Sequence, residues 1–260
     1  MTSLASRTID ALRHEHDVLS DFVASLTPEQ LEGPSGASEW SVAQVLSHLG
    51  SGSEISLASL QTALGEREAP GDDFNRSVWD VWDAKSPADQ GADYVTQNKV
   101  LVEALEALTP DQLESLKVDL GFLPAPIGIA GYAGMRLNEV AHHSWDVRVA
   151  TDPKAGITDP STDVLADHLG GDLGFLLGFI GKPDQIEENV VLGLGDYSLV
   201  IADSVSVQSG TDGATATFSG APEAALRLTS GRLRPEYTPA DVAVTGNVTL
   251  DELRRVFPGF

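Results

Sequence analysis

Residues 136–146 contain the side chains best suited to chemistry, because a carboxylate and an imidazole recur there at helical spacing. Glu139 and His143 lie four residues apart, and a helix turns by about 100° per residue, so the two side chains point the same way. Such a pair suits one divalent cation, provided that another segment supplies a third ligand. His48, in phase with the apolar residues around it, is the best candidate. The sequence therefore predicts a metal site formed by His48, Glu139 and His143.

Four ionisable residues share one stripe of this segment, within about 80° of helix arc: Arg136, Glu139, His143 and Asp146. Burying such a stripe on an otherwise apolar helix requires a partner or an ion. The alternative is that the stripe faces solvent and its charges pair along the helix. His142 competes with His143 as a ligand, since it also lies one turn from Glu139. A single inward-facing histidine such as His48 also fits a hydrogen-bonded core residue.

The composition limits the classes of partner. The chain has 260 residues and a formal net charge of -23, which repels nucleic acid and anionic membrane surfaces alike. No apolar run approaches the roughly 18–20 residues that span a bilayer, and charge appears too early at the N-terminus for a signal-peptide core. We expect a cytoplasmic protein, monomeric or homodimeric, that acts on small molecules and binds neither nucleic acid nor membranes.

Cysteine is absent from the sequence. Disulfides, thiolate zinc sites and a protein-borne thiol nucleophile are thereby excluded. Any thiol chemistry must use sulfur that a small molecule delivers. If the substrate is an anion, a few local arginines must overcome the negative field of the whole chain.

Helix start signals organise the first part of the chain. Capping-box patterns begin at Thr27, Ser41 and Thr109, and proline occupies the first helical position after both threonines. Trp40 and Val45 occupy the staple positions of the box at Ser41, which opens the helix carrying the candidate histidine. Helical periodicity precedes residue 27, and further long helices are predicted over residues 92–108 and 129–150. Four long helices with a polar site between them indicate a bundle over residues 1–152.

The second part, residues 153–260, has a different pattern. A linker and one connecting helix are predicted over residues 153–180, the helix covering 162–180. Period-two segments then predict strands over residues 190–194, 197–202, 204–208, 214–218 and 241–245. Asp203 and residues 210–213 are interpreted as hairpin turns. With helices over residues 221–229 and 250–257, this part is predicted to be a small α+β domain on an antiparallel sheet.

The candidate site residues form a recognisable pattern with their neighbours: Trp40-Ser-Val, His48, Arg136, Glu139, His143 and Trp145-Asp146. This pattern resembles the metal motif of the mycothiol-dependent maleylpyruvate isomerases, which belong to the DinB-like metal-binding four-helix bundles. Downstream, residues 220–232 and 253–260 are similar to the C-terminal domain of that family, which itself resembles sterol carrier protein type 2. The resemblance covers nearly the whole chain and agrees with a bundle followed by an α+β domain.

The resemblance implies a divalent metal, usually zinc, held by His48, Glu139 and His143 with one position open. In the family that position takes the thiol of mycothiol, and coordination removes the thiol proton at neutral pH. The implied activity is isomerisation of a small electrophile, or its conjugation to the thiol. Two alternatives stay open: a thiol-independent hydrolase that uses metal-bound hydroxide, and a non-catalytic protein that binds a metal or another ligand.

Three further residues are candidates for catalytic roles. Asp146 is suited to orient a ligand histidine, or to pair with Arg136 or Arg148. Arg136 is suited to clamp a substrate carboxylate with two hydrogen bonds, or to form a salt bridge within the bundle. Arg232, after Gly231, is a candidate cation facing the site from the second domain; the alternative is a helix C-cap with a favourable charge.

Overall fold

The computed structural model describes residues 2–259. The chain forms two compact units, one ending at Ala155 and the other beginning at Gly156. The sequence-based boundary lay between residues 152 and 153. No helix within residues 2–259 combines the length and the apolar character needed to cross a bilayer.

The first unit consists mainly of helices. Its elements in chain order are α1 (Leu4–Ser25), α2 (Pro28–Glu32), α3 (Val42–Ala63), α4 (Phe74–Asp83), α5 (Pro87–Glu106), α6 (Pro110–Ser115), β1 (Lys117–Val118), β2 (Ile127–Gly128) and α7 (Ile129–Arg148). The four long helices α1, α3, α5 and α7 form the bundle, in which α5 and α7 each pack against both α1 and α3. The predicted helical bundle is confirmed.

The predicted helix starts are confirmed at Thr27, Ser41 and Thr109, each of which forms a complete capping box. Two helices differ from the prediction. Helix α5 begins at Pro87 rather than at residue 92, because Ser86 caps it and proline fits the first helical position. Helix α4 was not predicted at all.

Helix α4 is fixed to the bundle by Trp82, which is 1% exposed. A Cβ atom added at Gly50 of α3 would lie 2.1 Å from the Trp82 ring, so the indole packs directly on the α3 backbone. The indole Nε1 donates to Glu54 on the same helix at 2.9 Å. Phe74, Val78 and Trp82 recur at helical spacing, so the local sequence did indicate a helix here and the prediction missed it.

His16 is a buried polar residue of the bundle, and Asn98 of α5 lies 2.9 Å from its Nδ1. Burial lowers the pKa of His16. Arg13 and Lys99 lower this pKa further, whereas Asp17 and Glu103 oppose them. The folded protein therefore holds His16 in its neutral form more strongly than the unfolded chain does.

The stability of the fold should decrease when the pH falls below about 6.5, the ordinary pKa of histidine. Below that pH the unfolded chain binds a proton at His16 that the folded chain resists, and above it the contribution is complete. Urea unfolding at pH 7.5 and 5.5 measures the decrease, which should be smaller in His16→Gln. The exposed His14 provides the control, since His14→Gln should retain the wild-type decrease. Equal decreases in wild type and His16→Gln would contradict this account.

The second unit combines short helices with a five-stranded sheet. Its elements are α8 (Asp159–Leu169), α9 (Leu176–Ile180), β3 (Val190–Gly193), β4 (Tyr197–Ile201), β5 (Val205–Ser209), β6 (Ala216–Ser219), α10 (Pro222–Thr229), β7 (Ala243–Gly246) and α11 (Leu250–Val256). The strand order is β5-β4-β3-β6-β7, and every neighbouring pair is antiparallel except β3 with β6. The predicted bundle followed by a mixed domain with antiparallel strands is confirmed.

Two details of the second unit correct the sequence predictions. The single helix expected over residues 162–180 is two helices, since α8 ends before Gly170 and Gly171, whose flexibility disfavours a continued helix. Residues 210–213 do not form a hairpin, because β5 and β6 are not neighbours. Instead β6 lies parallel to β3, where Ala216 and Phe218 enter the core that β3 also lines.

Candidate metal centre

Helices α3 and α7 bring three possible metal ligands together. His48 Nε2 lies 3.1 Å from Glu139 Oε2, and His143 Nε2 lies 3.7 Å from the same oxygen. One ligand atom from each of the three residues lies within 4.8 Å of the others. Zinc bonds of about 2.0–2.2 Å at a tetrahedral angle place neighbouring ligand atoms ~3.3 Å apart. The two separations from Glu139 lie on either side of that value, and the third is no more than 4.8 Å, so the three side chains could hold a single cation.

The three side chains are partly accessible to solvent. Exposed fractions are 38% for His48, 46% for Glu139 and 15% for His143. A small molecule can therefore approach the point that they surround. Three protein ligands with one accessible side are typical of catalytic rather than structural zinc sites.

The electrostatic surroundings of Glu139 favour the form that binds metals. Crowding by protein atoms raises the pKa of Glu139, but the hydrogen bond with His48 lowers it, as do the charges of His143, His48 and Arg136. The balance lowers the pKa of Glu139 to about 2. Although the side chain keeps 46% of its surface exposed, its carboxylate is ionised at neutral pH and available as a ligand.

Asp146 orients the ring of His143. Its Oδ2 lies 2.8 Å from His143 Nδ1, and its side chain is 1% exposed. A proton on Nδ1 donates to this carboxylate and leaves the lone pair of Nε2 directed toward Glu139. Carboxylates that hold a ligand histidine in this way are common around zinc. The hydrogen bond supports the orienting role considered for Asp146 from the sequence.

The structure distinguishes the two adjacent histidines. His142 Nδ1 lies 2.8 Å from the backbone oxygen of Asn138, one turn earlier on α7. Within residues 2–259, the group of side chains able to share a metal includes His143 and omits His142. The geometry thus favours His143, the ligand that the sequence also preferred because it lines up more closely with Arg136 and Glu139.

Trp40 covers the two imidazoles. Its ring centroid lies 5.1 Å from that of His48, and 6.1 Å from that of His143 at an interplanar angle of 24°. From the sequence, Trp40 was predicted to be a hydrophobic staple and was part of the motif that resembles the isomerase family. Its contact with both candidate ligands was missed, because it depends on the approach of α3 to α7.

Comparison with known proteins identifies the family. Residues 12–148 match the family described as the mycothiol maleylpyruvate isomerase N-terminal domain. The chain belongs to this family. The match contains all three candidate ligands and confirms the resemblance seen in the motif. No curated protein matches the chain in sequence.

Two solved structures have the same fold as this member of the isomerase family. One is a crystal structure of the mycothiol-dependent maleylpyruvate isomerase, with a TM-score of 0.66 and 15% identity, covering 95% of this chain and 98% of that one. The other is a histidine-to-alanine mutant of that isomerase, with a TM-score of 0.66, 15% identity and the same coverage. At this identity the likeness establishes a shared fold along nearly the whole chain.

A glycine outside the sequence motif lies directly against the site of this family member. The backbone N–H of Gly36 donates to the oxygen of Asp146 at 2.7 Å. A Cβ atom at Gly36 would lie 2.8 Å from Asp146 Cα and 2.9 Å from its Oδ1. The same loop is closed by a hydrogen bond from Ser35 N to the oxygen of Trp40 at 3.1 Å. Gly36 therefore allows the loop that carries Trp40 to dock on α7.

Replacing Gly36 by alanine should destabilise the fold by about 1–3 kcal/mol, the usual cost of forcing an extra methyl group into a packed site. Thermal unfolding of the metal-free protein measures this loss. Gly71 is the matched control, because it is exposed and no atom lies within 4 Å of its ideal Cβ position. Gly71→Ala should leave the stability unchanged or slightly raised. Equal melting temperatures for Gly36→Ala and wild type would show that the loop docks differently.

A bidentate pair with a substrate carboxylate would need the Nη2 atom of Arg136, which is already engaged. Its Nη2 already donates to Leu49 O at 2.7 Å, Ser53 Oγ at 2.6 Å and Asn98 Oδ1 at 3.1 Å. Side-on arginine pairs elsewhere in the structure use Nε together with Nη2, as Arg13 and Arg227 do. An end-on pair would also need Nη2. These contacts favour the alternative considered from the sequence, a role within the bundle, and a role for Arg136 toward a substrate stays a prediction.

Arg232 belongs to the second unit and follows the end of α10. Gly231 has a φ of 72° and donates from its N–H to Leu228 O, and Arg232 N donates to Arg227 O at 2.7 Å. These two bonds form a Schellman C-cap, the alternative considered from the sequence. A role for Arg232 toward a substrate stays a prediction.

Proposed function

We propose that this protein is a divalent-metal-dependent enzyme that uses the thiol of mycothiol to isomerise a small electrophilic substrate. The observation that supports this most directly is the convergence of three ligand atoms within 4.8 Å of one another. The ligand set lies within the segment that matches the isomerase family. Two imidazoles and one carboxylate, with an accessible side, favour zinc as the metal.

Each residue at this centre has a distinct role in the proposed function. His48 and His143 offer their Nε2 lone pairs, and Glu139 offers an ionised oxygen. Asp146 holds His143 in the orientation and tautomer that coordination requires. Trp40 packs beside both imidazoles. A divalent cation bound there would stabilise the thiolate form of a coordinated thiol.

The nucleophilic sulfur must come from a small molecule, because the chain has no cysteine. In an isomerisation, the sulfur adds to a cis double bond conjugated with a carbonyl, the resulting single bond rotates, and elimination restores both the thiol and the double bond. An S-transferase would instead retain the new carbon–sulfur bond. The family match supports the isomerase, since its named members are isomerases.

The test is an isomerisation assay on a cis-unsaturated keto acid, maleylpyruvate being the first choice. Turnover should require both mycothiol and the metal, and should disappear with Glu139→Ala or with a chelator. A stable thioether product would identify a transferase. Metal-dependent hydrolysis that proceeds without thiol would contradict the proposal and favour a hydrolase. Absence of metal binding would favour a non-catalytic protein.

A further inference from the structure

Arg136 connects the two helices that carry the candidate ligands. It lies on α7 one turn before Glu139, and its Nη2 donates at 2.7 Å to the oxygen of Leu49, the residue that follows His48 on α3. The same nitrogen donates to Ser53 Oγ, also on α3, at 2.6 Å. One guanidinium therefore bonds the backbone and a side chain of the facing helix beside the site.

The contact extends across the bundle. Asn98 of α5 accepts from both Arg136 and Ser53 through Oδ1, at 3.1 and 3.0 Å. The Asn98 amide must then donate from Nδ2 to His16 Nδ1 on α1, 2.9 Å away. Since arginine only donates, the directions of the bonds from Arg136 to Asn98 and from Asn98 to His16 are determined, whereas the Ser53 hydroxyl has a second acceptor in Leu49 O at 2.9 Å. The four long helices are thus connected by one polar network that includes Arg136.

A buried guanidinium is costly unless its surroundings compensate for the charge. Arg136 is 5% exposed, and the three acceptors of its Nη2 are all neutral. Glu139 is the carboxylate that acts on it electrostatically. Gly52 of α3 leaves room for the guanidinium, since a Cβ atom there would lie 2.9 Å from Arg136 Nη1. The guanidinium of Arg136 therefore occupies space on α3 that only a glycine at position 52 leaves open.

We infer that Arg136 is a positioning residue: by bonding α3 at Leu49 and Ser53, it sets the separation of His48 from Glu139 and so the geometry of the metal centre. It acts through the two helices and touches no reacting group. The predicted effect on metal affinity rests on the proposed function. The predicted effect on the position of His48 rests on the structure alone.

The first test measures zinc affinity by competition with a chromophoric chelator, alongside melting of the metal-free protein. Arg136→Lys should weaken binding about tenfold and Arg136→Met up to about a hundredfold, the range seen when support around a metal site is lost. Arg148→Lys is the matched control, because Arg148 is on the same helix but faces Glu15 of α1 at 3.7 Å. It should change zinc affinity by less than threefold.

Gly52→Ala displaces the guanidinium without removing it, and covers the case in which Arg136→Met does not fold. Alanine favours a helix over glycine, and this gain offsets part of the cost of displacing the guanidinium, so the metal-free protein should melt only slightly lower than wild type. Its zinc affinity should nevertheless fall at least threefold. If Arg136 had a purely structural role, the zinc affinity of each variant would instead fall in proportion to its loss of melting temperature.

The second test needs no metal. In histidine-labelled metal-free protein, the NMR signals of the His48 ring report its 3.1 Å contact with Glu139. These signals should change in Arg136→Lys and stay unchanged in Arg148→Lys. Unchanged His48 signals, or zinc affinity of Arg136→Lys within threefold of wild type, would overturn the inference. If wild type binds no zinc, the proposed function fails, while the NMR comparison still decides the role of Arg136.

Discussion

Replacing His48, Glu139 or His143 by alanine should remove most of the metal that the wild-type protein retains on purification. Each residue supplies one of three ligand atoms that lie within 4.8 Å of one another. The loss of one leaves a two-ligand site, and we expect the dissociation constant to rise by more than about 100-fold, beyond the effect of losing an outer partner. Elemental analysis should find nearly one metal per wild-type chain and little in the three variants.

His142→Ala is the control for this series. His142 is adjacent to His143 on the same helix, but its Nδ1 lies 2.8 Å from the oxygen of Asn138, and it is outside the ligand group. The variant should retain the wild-type amount of metal. If all three ligand variants retain metal, the proposed site is refuted. If His142→Ala loses metal and His143→Ala retains it, His142 is the ligand in place of His143.

Replacing Asp146 by asparagine should lower metal affinity by about 10–100-fold while leaving all three ligands in place. Asp146 is a buried carboxylate 2.8 Å from His143 Nδ1. Asparagine keeps the shape but removes the negative charge that makes Nε2 a stronger donor to the metal. The affinity is measured by chelator competition at constant pH.

Asp152→Asn is the corresponding control, since Asp152 is exposed and its carboxylate accepts from the N–H of Lys154 at 3.0 Å. It should leave the affinity unchanged. If Asp146→Asn also binds metal within threefold of wild type, the carboxylate does not support His143, and its burial would have a purely structural origin.

Much of the fold was predictable from local sequence. The capping boxes at Thr27, Ser41 and Thr109 are formed by residues only three positions apart, so nothing distant affects them. Period-two segments likewise located the strands. Prediction failed for the sheet, where the answer depended on distant partners: β6 pairs with β3 rather than with β5, its predecessor in the chain.

The candidate site divides in the same way. Spacing along one helix identified Glu139 and His143 as neighbours, because helical geometry depends on the local backbone alone. It favoured His143 over His142, because His143 lines up more closely with Glu139, and kept His142 as a competitor. Which of the two rings lies beside His48 depends on the approach of α3 to α7.

By itself, the sequence determined the types of residue available: a carboxylate and an imidazole at ligand spacing with a second imidazole on another helix, a chain with no sulfur nucleophile, and a strongly negative net charge. The tertiary structure decided how those residues are used. It engages Arg136 Nη2 with three acceptors, pairs Asp146 with His143, and places Trp40 over both imidazoles. These contacts join residues far apart in the chain or choose among several possible partners, and local spacing carries no information about either.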